Sequence, residues 1–123
     1  MSDARINYVE LAGPAMEATK AFYAAAFGWE WQEYGPEYAA AWSGETEIGL
    51  NGGAHVAPPH EAGEQSGVGP LVLFQTSDLG ACVSAVEAAG GTITSAPYDY
   101  PGGRRFHFAD PSGNILGAYA HGG

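Results

Sequence analysis

The chain has 123 residues, which is enough for one domain with its own hydrophobic core. Hydrophobic residues make up 46% of the sequence and charged residues 15%, a balance typical of globular proteins and unlike that of disordered ones. The formal net charge of −10 argues against binding to nucleic acids or to anionic membranes, because both would repel the chain.

The N-terminal residues lack the apolar core of a signal peptide, and no apolar run approaches the roughly 18 residues that a membrane span needs. The single Cys82 cannot build a disulfide framework or a thiolate zinc site. We therefore expect a cytosolic protein. Its acidity would favour a cationic ligand, although the need for solubility also accounts for it.

The first half of the sequence predicts a strand, a helix and three further strands. Alternating apolar residues predict a strand over 5–11, which Gly13 and Pro14 end. A helical stripe begins at Met16, and Gly28 is suited to end that helix in a left-handed conformation. Three strands are then predicted over the ranges 29–34, 38–42 and 46–51.

Residues 52–69 are rich in Pro, Gly and acidic residues and show no periodicity, so they are interpreted as a long connecting loop. Such a loop could cover a cavity. It contains His55 and His60, followed by Glu61, but this spacing matches no helical metal-binding motif. We favour a solvated loop over a metal site.

The second half repeats the order of the first. A strand is predicted over 70–76, and Asp78 is a candidate N-cap for a helix that begins at Leu79. Gly90 and Gly91 end this helix. The remaining ranges are a strand at 92–95, a turn-rich stretch at 97–103, a strand at 104–109, a tight turn at 110–113 and a last strand at 114–120.

The repeated order predicts an α+β fold of two βαβββ modules in a single domain over 1–123. Module one covers about 5–51 and module two about 70–120. A lone module would leave open strand edges and would hardly bury its sheet. We therefore expect the two copies to close on each other.

Three motifs resemble the vicinal oxygen chelate superfamily, which includes glyoxalases, bleomycin-resistance proteins and dioxygenases. They are ATKAFYAAAFGW at 18–29, AVEAAGG at 85–91 and DPSGN at 110–114. The resemblance spans roughly residues 6–119. It implies a curved mixed sheet around a cavity, with the helices on the outside. For the DPSGN turn itself, we expect a purely structural role.

The resemblance also implies where a metal ion would bind. In metal-dependent relatives, four ligands project from the first, fourth, fifth and eighth strands. These positions correspond here to Tyr8, Gly49, Leu71 and Gly117, with the fourth-strand register open to a slip of one residue. None of the four is a histidine or a carboxylate. We therefore expect neither a metal ion nor another cofactor.

Strand alternation instead predicts a largely apolar, aromatic cavity with a few polar groups. Its ligand-binding candidates are Tyr8, Glu10, Trp42, Gln75, His107 and Tyr119. For Glu10, three interpretations stay open: a counter-ion for a cationic ligand, a general base, or a salt bridge to Arg104 or Arg105. Other aromatic residues are candidates for the cavity or the core, and Trp29 is assigned to the core. They are Tyr34, Tyr38, Tyr98 and Tyr100.

The leading functional hypothesis is a metal-independent protein that captures a small organic molecule, cationic or aromatic in character. The drug-sequestering branch of the superfamily, which confers antibiotic resistance, acts in this way. The alternative is a metal-dependent lyase, isomerase or dioxygenase-like enzyme, and a third hypothesis is a partner-binding module. By the same resemblance, we expect a homodimer whose cavity lies at or near the interface.

Overall fold

A computed structural model describes residues 3–54, 56 and 70–121 of the chain. These residues form two successive βαβββ units, which confirms the α+β class and the predicted repeat. Most of the predicted 52–69 loop, including His55 and His60, lies outside the described residues. None of the helices in the described ranges is long and apolar enough to cross a membrane.

Module one builds a four-stranded mixed sheet in the order β1-β4-β3-β2. The outer pair β1–β4 is parallel and the other pairs are antiparallel. Its elements are β1 (Tyr8–Ala12), α1 (Met16–Phe27), β2 (Gln32–Glu33), β3 (Tyr38–Ser43) and β4 (Thr46–Asn51).

Module two has the same topology, with the order β5-β8-β7-β6 and a parallel β5–β8 pair. Its elements are β5 (Leu73–Gln75), α2 (Leu79–Ala88), β6 (Thr92–Tyr100), β7 (Gly103–Ala109) and β8 (Ile115–His121). The curved mixed sheet implied by the resemblance therefore consists of two four-stranded sheets.

Three predicted segments differ from the structure. The strand expected over 70–76 is limited to the three residues of β5. The strand expected over 29–34 shrinks to the two residues of β2, because Trp29 turns into the core and stacks on Tyr23 at a ring distance of 4.7 Å. The prediction of a turn-rich stretch over 97–103 was wrong for 97–100, since β6 continues to Tyr100 and the turn is confined to 101–102. Pro97 is tolerated there because β6 is an edge strand and its pairing with β7 is irregular between Ser95 and Tyr98.

The helix ends follow the predicted signals. Gly28 adopts φ 73°, and its N–H donates to the carbonyl of Ala24, which ends α1. Asp78 caps α2, because its Oδ1 accepts a hydrogen bond from the Ala81 N–H at 3.0 Å. The N-terminus of α1 has no side-chain cap of its own, since residue 15 is alanine.

One hydrophobic core serves both modules. The buried face of the first sheet contributes Leu11 and Leu50, and that of the second contributes Phe106 and Phe108. Aromatic rings join the two halves, and Phe27 of α1 stacks on Phe74 of β5 at 4.1 Å. Burial of one face of each sheet leaves the other face available for a binding site.

The DPSGN turn ties module two to module one. Buried Asp110 accepts hydrogen bonds from the Tyr23 hydroxyl at 2.8 Å and from the backbone N–H groups of Ser112 and Asn114. The Asn114 side chain also pairs with both backbone groups of Ala12. Burial raises the pKa of Asp110, while these hydrogen bonds act in the opposite direction. The turn thus has a structural role that extends beyond its own loop.

Candidate functional site

Each sheet presents one open face on the side away from the shared core. The six predicted site residues all lie on these faces, three on each sheet. Tyr8, Glu10 and Trp42 belong to the face of the first sheet, together with Gly49 and Asn51 across the strand pairs. Gln75, Tyr119 and His107 belong to the face of the second sheet. Whether these residues bind a ligand stays a prediction.

Four side chains on the first open face form a hydrogen-bonded group, which we name the tyrosine cluster (Tyr8, Glu10, Tyr38 and Asn51). The Tyr8 and Tyr38 hydroxyl oxygens lie 2.5 Å apart, and the Tyr38 hydroxyl donates to Glu10 Oε1 at 3.0 Å. Asn51 Nδ2 donates to Glu10 Oε2 at 3.3 Å. Glu10 therefore has polar partners on its own sheet, and neither Arg104 nor Arg105 pairs with it.

The tyrosine cluster has a defined donor order. Desolvation and the hydrogen bonds to Tyr8 and Glu10 raise the pKa of the Tyr38 phenol, so it stays protonated at neutral pH. Because Tyr38 donates its proton to Glu10, the Tyr8 hydroxyl must donate to Tyr38. The Glu10 carboxylate is thus a hydrogen-bond acceptor within the cluster.

The cluster fills the space over Gly49, one of the four positions that correspond to metal ligands in relatives. A Cβ atom at Gly49 would collide with the hydroxyl oxygens of both Tyr8 and Tyr38. A slip of one residue would bring in Ile48 or Leu50, which are apolar and buried in the core. No ligand side chain fits at this position.

The equivalent position on the second sheet is also filled. A Cβ atom at Gly117 would lie 2.6 Å from Leu73 Cδ2 and 2.8 Å from the Phe106 carbonyl oxygen. Within the described ranges, no group of three histidine, cysteine or carboxylate side chains is placed to hold a metal ion. The residues present therefore do not fit the metal site of the metal-dependent relatives.

The second open face carries a group that we name the arginine cluster (Tyr98, Tyr100, Arg105 and His107). Arg105 Nε donates to the Tyr98 hydroxyl at 2.5 Å, and this hydroxyl lies 3.1 Å from His107 Nε2. The guanidinium group lies over the Tyr100 ring, 4.8 Å from its centroid. Burial, followed by the nearby Arg105 charge, lowers the pKa of His107.

From the sequence, Arg105 was considered only as a salt-bridge partner for Glu10, and the arginine cluster was not predicted. The signal was present in the alternation of β7, because Arg105 precedes His107 by two residues and must share its face. Arg104, in contrast, is exposed and forms an ion pair with Asp99 at 3.0 Å.

The remaining predicted site residues belong to neither the tyrosine cluster nor the arginine cluster. The Trp42 side chain is 58% exposed on the first sheet. Tyr119 lies edge-on to His121 on the second. A cavity of about 200 Å³ between the modules is lined in part by Gln75 and mainly by apolar side chains from the core side of the sheets. This volume is below the roughly 300 Å³ at which small-molecule pockets begin, so the open faces are the better candidate site.

Comparison with known proteins agrees with this architecture. The sequence profile of the glyoxalase/bleomycin resistance protein/dioxygenase superfamily matches residues 5–117. A solved enzyme of this family from Burkholderia phytofirmans PsJN shares 26% identity, with 96% of this chain and 99% of that chain covered and a TM-score of 0.73. Comparison with curated protein sequences found no match.

Two further solved structures show the same fold at lower identity. Lactoylglutathione lyase from Agrobacterium tumefaciens is 19% identical, covers 98% of this chain and 96% of that chain, and has a TM-score of 0.71. TnmS3, an antibiotic binding protein from Streptomyces sp. CB03234, is 22% identical, covers 98% of both chains and has a TM-score of 0.72. With a profile match over most of its length, the chain belongs to the glyoxalase/bleomycin resistance protein/dioxygenase superfamily.

Proposed function

We propose that this chain binds a small organic molecule on its open sheet faces without the help of a metal ion. The observation that carries this proposal is the tyrosine cluster over Gly49, which occupies the place of a metal ligand with phenol rings and hydroxyl groups. Aromatic walls with a few oriented polar groups are typical of small-molecule sites. An antibiotic binding protein has the same fold, so this fold is compatible with the capture of a small molecule.

We further propose that two copies of the chain form the cavity together. Apolar and aromatic side chains are exposed on both open faces, with Trp42 at 58% and Ile115 at 45%. Exposed apolar surface of this kind is where a second protein chain can pack. The first face carries Glu10 and Glu47, while the second carries Arg105, so the two faces are complementary in charge. A second copy would cover both faces.

Metal content tests the first part of the proposal. Purified protein is incubated with zinc, nickel, manganese or ferrous iron, washed, and assayed by elemental analysis. We expect no retention of any metal near one ion per chain. Stoichiometric retention would contradict the proposal and favour the alternative of a metal-dependent lyase, isomerase or dioxygenase.

Ligand binding tests the second part. Isothermal titration with 2-naphthamide and 2-naphthoate, two planar aromatic probes, should detect saturable binding of at least one of them. Removal of the exposed ring in Trp42→Ser should weaken that binding about fivefold, since an aromatic contact contributes about 1 kcal/mol. Trp42→Phe is the matched control, because it keeps an aromatic ring at the same position and should preserve most of the binding. Absence of binding would favour a partner-binding module.

A further inference from the structure

We propose that the arginine cluster binds an anionic oxygen group, such as a carboxylate or phenolate, of the molecule held on the open faces. This inference rests on the proposed function and adds the chemical class of the ligand. It assigns Arg105 as the group that recognises the anion.

The first argument is that the positive charge of Arg105 has no ion-pair partner among the described residues. The chain has only four Lys and Arg residues against fourteen Asp and Glu. Lys20 forms ion pairs with Glu17 and Glu33, and Arg104 pairs with Asp99. Among the described residues, no carboxylate pairs with Arg5 or Arg105, but Arg5 is exposed outside the strands whereas Arg105 is partly buried on the open face. A partly buried, unpaired cation in so acidic a chain is a feature that a bound anion would explain.

The second argument is that Arg105 keeps free hydrogen-bond donors. Arg105 Nε donates to the Tyr98 oxygen, and this hydroxyl also lies 3.1 Å from His107 Nε2, in a bond whose direction depends on the His107 tautomer. The lowered pKa of His107 favours its neutral form, so Arg105 carries the positive charge of the cluster. The terminal N–H groups of Arg105 have no partner among the described residues, so they are the donors that the cluster presents to an incoming ligand.

The third argument is that these donors are held in place but remain accessible. The Arg105 guanidinium group lies over two rings, 4.8 Å from the Tyr100 centroid and 5.5 Å from that of Tyr98. Among the described residues, every buried side-chain nitrogen or oxygen has a hydrogen-bond partner. The unpartnered nitrogens of Arg105 are therefore in contact with solvent, where a ligand can reach them. A donor fixed before binding loses little entropy when the ligand arrives.

The position of the cluster places it on the predicted binding face. Arg105 lies directly across the strand pair from Tyr119, which in turn pairs with Gln75. His107 lies across from Gly117 on the same face, and its ring lies close to the position that a Cβ atom of Gly117 would take. An anionic group bound here would lie on the second sheet, whereas Glu10 and the rest of the tyrosine cluster lie on the first sheet.

The test compares 2-naphthoate with its neutral analogue 2-naphthamide by isothermal titration. We expect the wild-type protein to bind the carboxylate about tenfold more tightly than the amide, as expected for a charge-assisted hydrogen bond at a partly exposed site. Arg105→Gln should abolish this preference while it leaves the affinity for the amide nearly unchanged. Arg104→Gln is the matched control, because it removes a neighbouring charge on the opposite side of the same strand and should preserve the preference.

Circular dichroism and thermal melting establish that both variants are folded. If Arg105→Gln does not fold, Arg105→Lys and a salt series from 50 to about 500 mM on the wild-type protein replace it, since screening should weaken only carboxylate binding. Equal affinity of the wild-type protein for the two probes, or equal loss in both arginine variants, would overturn this inference and leave the proposed function intact. Failure of both probes to bind would overturn both.

Discussion

Gly49 and Gly117 lack side chains because neighbouring atoms occupy the space that a Cβ atom would need. The obstacles differ in kind. At Gly49 they are the hydroxyl ends of Tyr8 and Tyr38, which can rotate away at the cost of their hydrogen bonds. At Gly117 one obstacle is the Phe106 carbonyl oxygen, which belongs to the backbone of the neighbouring strand and cannot move without disturbing the sheet.

We therefore expect Gly117→Ala to destabilise the protein by about 2–3 kcal/mol and Gly49→Ala by only about 1 kcal/mol. Urea unfolding followed by circular dichroism measures both free energies of unfolding. Gly53→Ala is the control, because its Cβ would meet only Asn51 Oδ1 at an ordinary distance of 3.5 Å. Equal destabilisation by the first two substitutions would show that the tyrosine cluster is as rigid as the backbone.

At the scale of the elements, the N-terminus of α1 depends on the other module. Ser112 Oγ accepts a hydrogen bond from the Ala15 N–H at 3.1 Å and lies 2.6 Å from Thr19 Oγ1. It thus satisfies the backbone N–H of the N-cap residue and ties the start of α1 to the DPSGN turn.

Ser112→Ala should therefore lower the free energy of unfolding by about 1–2 kcal/mol, a typical loss for two partly buried hydrogen bonds. Ser84→Ala on the exposed side of α2 is the matched control and should change stability by less than about 0.5 kcal/mol. Thermal melts of both variants provide the measurement. A similar small effect in both variants would mean that a water molecule can replace the Ser112 hydroxyl as the partner of the Ala15 N–H.

The sequence predicted best those elements whose signals are local. Helix α1 was expected from Met16 to the stop at Gly28, and β4 was expected over 46–51, and both agree with the structure. The shortened β2 depends on the stacking of Trp29 on Tyr23, a tertiary contact that periodicity does not encode.

The sequence was sufficient to predict which strand faces carry the candidate residues. It was not sufficient to predict which of these residues form hydrogen bonds with one another. From alternation, the predicted residues were expected on one face of each sheet, and the structure places them together on the open faces. The link from Tyr38 to Glu10, however, depends on which strands are neighbours, because β4 lies between β1 and β3 in the sheet. The same holds for Arg105 and Tyr98, which face each other only through the β6–β7 register.

At the scale of the whole molecule, the proposed dimer could build the walls of its cavity in two ways. Trp42 lies on the first sheet and Arg105 on the second. If two chains share the cavity, the Trp42 of one chain and the Arg105 of the other meet the same ligand. If each chain holds its own cavity, both residues come from one chain.

Mixed dimers distinguish the two arrangements. Trp42→Ser and Arg105→Gln chains are co-expressed with different affinity tags, and the mixture is titrated with 2-naphthoate. In a shared cavity, each mixed dimer contains one site with both residues intact, so about one quarter of all sites should recover wild-type affinity. Each variant alone should show none. A mixture with no recovered sites, or a chain that light scattering shows to be monomeric, would contradict the shared cavity and place both walls in a single chain.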